Sequence, residues 1–211
     1  MNKRGFKHRP KLKKQNPRFL IVSEGEVTER QYLASIRRSL RASGNDIDFV
    51  PPGPTSPVEI VKRALDLRKK ATAEKDPYDF VWCVFDVESK VDQKARPRLS
   101  DAIAMAQTLK INIALSNPCF ELWILLHMVQ QEAWIGSDQV QSLCSSLGLV
   151  VHKEIQAPDQ LIEKFAVARG RAVSLEEKHS REFKLRLEER DPGSSVYRLV
   201  DAIYGAFPLR S

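Results

Sequence analysis

The sequence predicts an α/β fold with a mostly parallel sheet flanked by helices, followed by a helical C-terminal layer. Up to about residue 130, short apolar runs alternate with segments of helical period. Two of those runs, Asp79–Phe85 (DFVWCVF) and Ile111–Leu115 (INIAL), are nearly continuous in apolar residues, as strands buried on both faces of a parallel sheet are. Beyond Asn117 the patterns that remain are helical.

Taken in order, Arg18–Ser23 (RFLIVS) is the first strand, rich in aliphatic and β-branched residues. After a glycine comes a helix over Thr28–Ala42, with Tyr32, Leu33, Ile36 and Leu40 at helical spacing. Asp46–Val50 alternates as a second strand and ends at the stiff loop Pro51-Pro52-Gly53-Pro54. Ser56-Pro57-Val58-Glu59 carries the marks of a helix start: a Ser N-cap, Pro at the first helical position and Glu at the third. The helix that follows has a basic face of Lys62, Arg63, Lys69 and Lys70. Asp79–Phe85 is the third strand, residues 88–98 a loop, Ser100–Leu109 a helix and Ile111–Leu115 the fourth strand. This β-α-β-α-β-α-β order calls for right-handed parallel crossovers. Cys119–Val129, Ser137–Leu147, Pro158–Ala168, Ala172–Glu189 and Ser195–Phe207 are helices. The division expected is a basic tail (1–17), an α/β core (18–130) and a helical region packed on the core (131–211).

With 42% hydrophobic and 29% charged residues, the 211-residue chain has the composition of an ordinary globular protein large enough for one full α/β domain. Its net charge of +7 resides in the tail, where Lys3, Arg4, Lys7, Arg9, Lys11, Lys13, Lys14 and Arg18 occur without an acid. Such a segment is expected to be disordered alone and drawn to polyanions, nucleic acid first, with a merely solubilising extension as the bland alternative. No apolar run is long enough to span a membrane. None has the form of a secretory h-region either, since Phe19-Leu-Ile-Val22 stops at Ser23-Glu24, so a cytoplasmic setting is expected. Cys83, Cys119 and Cys144 are odd in number, sit in apolar contexts and lack CxxC spacing, which speaks against disulfides and zinc. The chain has no P-loop, no G-x-G-x-x-G and no G-x-S-x-G elbow, so any ATP dependence must come from a partner.

In an open α/β sheet the ligand crevice lies beyond the carboxyl ends of the strands. The first strand runs into Ser23-Glu24-Gly25-Glu26 and the third into Asp86-Val87-Glu88. Acids one residue apart in extended chain point to the same side. If the first and third strands are neighbours, Glu24, Asp86 and Glu88 converge at one rim. Clustered carboxylates call for a counter-ion, and Mg²⁺ or Mn²⁺, with their preference for hard oxygen ligands, suit a phosphate substrate. The plainer reading is that such acids cap helices, with Glu26 or Glu29 complementing the dipole of the next helix.

Phe19-Leu-Ile-Val-Ser-Glu-Gly-Glu-Val-Thr-Glu29, Trp82-Cys-Val-Phe-Asp-Val-Glu88, Ala114-Leu-Ser-Asn-Pro-Cys-Phe-Glu-Leu-Trp-Ile-Leu-Leu-His127 and Pro192-Gly-Ser-Ser-Val-Tyr-Arg-Leu-Val200 together resemble the RloB family, also called the AbiLii abortive-infection type, over roughly residues 18–205. Its members are similar to Toprim-fold enzymes, so the resemblance implies a Toprim-like fold and metal-dependent nucleic-acid chemistry. By position it makes Glu24 the metal-binding Glu after the first strand and Asp86 with Glu88 the pair after the third. Glu88 departs from the usual Asp. The resemblance further implies a bacterial anti-phage setting and an ATPase encoded nearby. The expected function is thus cleavage of a phosphodiester in DNA or RNA. A non-catalytic nucleic-acid-binding or ATPase-docking subunit is the alternative, and a nucleotidyl-transferring Toprim activity is a third.

Asn117-Pro118 reads as an N-cap followed by Pro at the first helical position. Glu121, four residues on, is placed to join the acids as a metal or substrate contact. His127 projects about 120° away from Glu121 around the helix, and two readings stand for it: a hydrogen-bonded core histidine, or an acid/base or phosphate contact. Trp82, Phe120 and Trp123 read as core. His152-Lys153 and Lys178-His179 show no ligand spacing and are assigned no chemistry.

Overall fold

The computed structural model describes residues 16–25, 27–42, 46–50, 56–87, 96–182 and 186–207. Five strands form one sheet in the order β2-β1-β3-β4-β7. They are β1 (Phe19–Ser23), β2 (Ile47–Val50), β3 (Phe80–Asp86), β4 (Asn112–Asn117) and β7 (Gly193–Ser194). β1 pairs in parallel with both β2 and β3, and β3 in parallel with β4. The edge strand β7 runs antiparallel to β4, setting Ser116 opposite Ser194 and Asn117 opposite Gly193.

Because successive strand residues face opposite sides, the sheet feeds two cores. Phe19, Ile21, Trp82, Val84 and Ala114 pack on one side. There they meet α1 (Thr28–Ser39), α4 (Phe120–Leu126), α5 (Ser137–Ser146), α6 (Pro158–Glu163), α7 (Phe165–Glu182) and α8 (Val196–Ala206). Leu20, Val22, Val81, Cys83, Phe85 and Leu115 pack on the other side, against α2 (Pro57–Ala73) and α3 (Arg96–Leu109). The two near-continuous apolar runs are therefore central strands covered on both faces. Phe120 and Trp123 are about 1% exposed or less and Trp82 7%, so all three belong to the core.

Several elements differ from the sequence expectation. Asn117 ends β4 and caps no helix; the helix begins at Phe120 with Cys119 as its N-cap, because Asn117 is drawn into pairing with β7. Strands also occur after Asn117. Besides β7, a hairpin of β5 (Val150–Val151) and β6 (Glu154–Ile155) turns through His152 and Lys153, both at positive φ. Two-residue strands are too short to leave a periodic signal, and the turn lacks the Asn or Gly that usually marks positive φ. Gly193 in β7 is required by a close approach: a Cβ there would lie 2.8 Å from the Arg190 carbonyl oxygen. Finally, the helix expected over Pro158–Ala168 breaks at Lys164, since α6 packs on α1 while α7 packs on α4.

Candidate active site

From β1 the chain proceeds to β2 on one side, and from β3 it proceeds to β4 on the other. The carboxyl ends of β1 and β3 therefore flank the point where the strand order reverses, the usual ligand crevice of such sheets. The adjacency of these strands, on which the acid cluster depended, is present in register: Ser23 pairs with Val84, and the Glu24 N–H reaches the Val84 carbonyl at 3.4 Å. Glu24 thus leaves β1 beside Asp86, the last residue of β3.

Asp86 is only partly exposed, and its carboxylate accepts a hydrogen bond from the Phe120 N–H at the start of α4. Its Oδ1 is buried and has no hydrogen-bond partner among the described residues. Burial chiefly, then the charges of Glu29, Glu121 and Glu24, push its pKa well above the usual carboxylate range. Glu121, on the first turn of α4, accepts a hydrogen bond from Thr28 Oγ1 at 3.2 Å; the same hydroxyl lies 2.9 Å from the Lys153 carbonyl oxygen. Asn117 stands at the end of the neighbouring strand, its side-chain amide donating to the Glu188 carbonyl at 3.3 Å while its buried Oδ1 has no partner among the described residues.

Glu29 belongs to this group more closely than its place in the sequence suggested. It is 6% exposed. Burial raises its pKa, and the charge of Glu121 adds to the rise; its own N–H, that of Gly25 and the Lys153 ammonium oppose it. The signal was available in the sequence, because Glu29 extends the apolar stripe Tyr32, Leu33, Ile36 and so had to face inward. Thr28 and Lys153, one bonded to Glu121 and the other acting on Glu29, are the further members that sequence reasoning missed. No linear pattern joins Lys153 to a helix more than 120 residues earlier. Glu26 and Glu88 lie outside the described residues.

Carboxylate oxygens are the donors that a hard divalent cation prefers. Among the described residues no three His, Cys, Asp or Glu side chains share one coordination position. Each acid is instead turned to a protein partner, Asp86 to Phe120, Glu121 to Thr28 and Glu29 to Gly25. Yet the charges of Glu29, Glu121 and Glu24 raise the pKa of Asp86 and that of Glu121 raises the pKa of Glu29, the donors are all oxygen, and Asp86 Oδ1 is a buried acceptor without a donor among the described residues.

Gly25 lies against the Glu29 carboxylate. A Cβ at this position would fall 1.9 Å from the Glu29 carboxylate oxygens. Because those oxygens end a side chain that can rotate away, Gly25→Ala is expected to cost less than about 1 kcal/mol of stability while displacing Glu29. Thermal melting checks the first expectation, and a Mn²⁺ titration of variant against wild type the second; identical titrations would separate Glu29 from any cation held here.

His127 is placed by the structure in the aromatic core, away from the acids. It is 1% exposed, with Nε2 3.1 Å from the Tyr32 hydroxyl and Nδ1 2.9 Å from the Trp123 carbonyl oxygen. Its ring meets those of Tyr32 and Trp123 edge to face. This is the hydrogen-bonded core histidine of the two readings. Burial pushes its pKa down to about 4 from an ordinary 6.5. The unfolded chain therefore takes up a proton that the folded chain refuses, and stability falls as pH drops from 6.5 to 4. At about 1.4 kcal/mol per pH unit, the loss is about 3 kcal/mol. Urea unfolding of wild type and His127→Gln at pH 7 and pH 4 checks this: the variant should be less stable at pH 7 and lose less on acidification.

Of the tail cations, Lys3, Arg4, Lys7, Arg9, Lys11, Lys13 and Lys14 lie outside the described residues. Arg18 is described, and it is occupied structurally. Its guanidinium pairs with Asp76 at 2.8 Å, donates to the Asp76 carbonyl and stacks over Tyr78 at 4.5 Å. It precedes the amino end of β1, opposite the end that carries the acids.

The family model described as RloB-like protein matches residues 19–203. No curated protein and no solved structure shows significant similarity to the chain.

Proposed function

The chain belongs to the RloB-like family, and from that premise we propose that it is a metal-dependent nuclease that hydrolyses phosphodiester bonds in DNA or RNA. Glu24, Asp86 and Glu88 would hold Mg²⁺ or Mn²⁺ in a Toprim-like arrangement, with Glu121 and Glu29 beside them. The observation that carries this reading is the group of mutually repelling carboxylates at the β1–β3 switch point, with a buried Asp86 oxygen lacking a donor. When bound, the cation would neutralise charge on the scissile phosphate and lower the pKa of an attacking water. The chain's own residues do the rest. The Phe120 N–H fixes Asp86, Thr28 orients Glu121, and the Lys153 ammonium near Glu29 offers a positive charge at the rim for a phosphate oxygen. Glu29, held toward its protonated form by burial, is suited to deliver a proton at the rim.

The setting proposed is bacterial anti-phage defence alongside an ATPase partner, as the family resemblance implies. The test is incubation of purified chain with plasmid DNA and with RNA, in Mn²⁺, Mg²⁺ or EDTA, with and without the neighbouring ATPase. Cation-dependent nicking is expected. Binding without cleavage in every condition would favour the non-catalytic subunit, and strand rejoining would favour nucleotidyl transfer.

A further inference from the structure

The outer face of α1 borders an open groove of about 450 Å³ that begins at Val27, two residues after Gly25, and passes Arg30, Ala34 and Arg38, with Ile155 and Pro158 on the opposite wall. The spacing is helical: positions 30, 34 and 38 share one stripe of α1, opposed to the buried stripe of Glu29, Tyr32, Leu33 and Ile36. Its opposite wall is pinned in place, because the Ile155 N–H donates to Gln31 Oε1 at 2.8 Å and Thr28 holds the Lys153 carbonyl. Arg30 is exposed and makes no hydrogen bond or ion pair among the described residues. Arg38 donates to Ser35 Oγ at 2.8 Å, and among the described residues its acidic partner is Asp159 at 3.9 Å, with both side chains well exposed. Such a pair contributes little and exchanges readily for a stronger anion.

We infer that this groove is the path of a nucleic-acid strand leaving the acidic site, with Arg30 and Arg38 each neutralising a backbone phosphate. The inference rests on the proposed nuclease reading and adds the strand's direction. Two guanidiniums eight residues apart stand about 12 Å apart along the helix. At about 3.4 Å per step of a duplex strand, that covers three to four nucleotides. The groove begins at Val27, three residues along the chain from Glu24 and two before Glu29, so a strand lying in it would run toward the acids. The small side chain of Ala34 between the two arginines leaves its floor open.

The test is fluorescence anisotropy of the full chain with a labelled DNA duplex and a labelled RNA single strand, in EDTA, across salt concentrations. Arg30→Gln/Arg38→Gln is compared with wild type and with Lys69→Gln/Lys70→Gln, which removes equal charge from α2 on the other side of the sheet. Each phosphate contact contributes about 0.9 to the slope of log affinity against log salt on duplex and about 0.7 on a single strand. The arginine pair should therefore lower the slope by up to about 1.8 or 1.4, and the lysine pair should leave it unchanged. An unchanged slope in the arginine variant, or an equal fall in the lysine variant, overturns the inference. So does equal competition by polyglutamate of matched charge, which would assign the groove to an acidic peptide. Cleavage in Mn²⁺, measured on the same preparations, separates the two claims. Cleavage by wild type with no arginine effect on binding refutes the strand path alone, whereas arginine-dependent binding without cleavage supports the path and refutes the chemistry.

Discussion

Asp86→Asn is expected to abolish cleavage and at the same time make the metal-free protein more stable. The two effects share one cause. In the wild type, burial and the charges of Glu29, Glu121 and Glu24 hold the Asp86 carboxyl well above its ordinary pKa of 3.8. Between 3.8 and that raised value the folded chain retains a proton that the unfolded chain has lost, so stability falls as pH rises through the window. An amide removes the titration and keeps an oxygen to accept the Phe120 N–H. Each kcal/mol of relief raises Tm by about 2–4 °C in a chain of this size. Cation binding at a hundred times Kd should stabilise wild type by about 2.7 kcal/mol and the variant by much less. Losing several kcal/mol of electrostatic stabilisation corresponds to a thousandfold or greater fall in cleavage rate. Glu24→Ala should lose activity likewise with the fold intact. Melts at pH 5 and pH 8, with and without Mn²⁺, together with nicking rates, check these expectations. Full activity in both variants would refute the metal-nuclease reading.

Truncation after Ile135 is expected to leave a chain that does not fold. The helices beyond it share one core with the sheet: Leu161, Leu175, Val196, Leu199, Val200 and Ile203 are buried in the same cluster as Phe19, Ile21 and Trp82. Burying a large aliphatic side chain is worth about 1.5–3 kcal/mol, so these six alone contribute roughly 10–20 kcal/mol. That equals or exceeds the 5–15 kcal/mol net stability of a typical domain. β4 would also lose its edge partner, where the Leu115 N–H bonds to Ser195 Oγ at 2.8 Å and the Ser195 N–H to the Leu115 carbonyl at 2.8 Å. Size-exclusion chromatography and thermal melting of the fragment check this; a monomer with a cooperative melt would show that the first 135 residues fold alone. Within the intact chain, Trp123→Ala should cost about 3–5 kcal/mol, since Trp123 is fully buried between Tyr32, His127 and Phe165.

By itself the sequence determined the order of strands and helices through β4, the continuous apolar runs of the central strands and the carboxylates that end β1 and β3. These are local properties: periodicity, turn residues and the residue that terminates a run are all read within a few positions. Only the tertiary structure decided the rest. Whether Glu24 and Asp86 met depended on β1 and β3 being neighbours, a long-range pairing that no local pattern encodes. The apolar stripe of α1 marked Glu29 as inward-facing, but its meeting with Asp86 and Glu121 came only from packing α1 on the sheet. His127 went the other way, into the aromatic core, because α4 turns that face toward Tyr32. The β5–β6 hairpin and β7 are short enough that pairing partners, and not propensity, create them, and the hairpin is what brings Lys153 to the rim of the acids. A site assembled at the crossing of several elements depends on distances through space, and those are fixed by how two hydrophobic cores close on either face of one sheet.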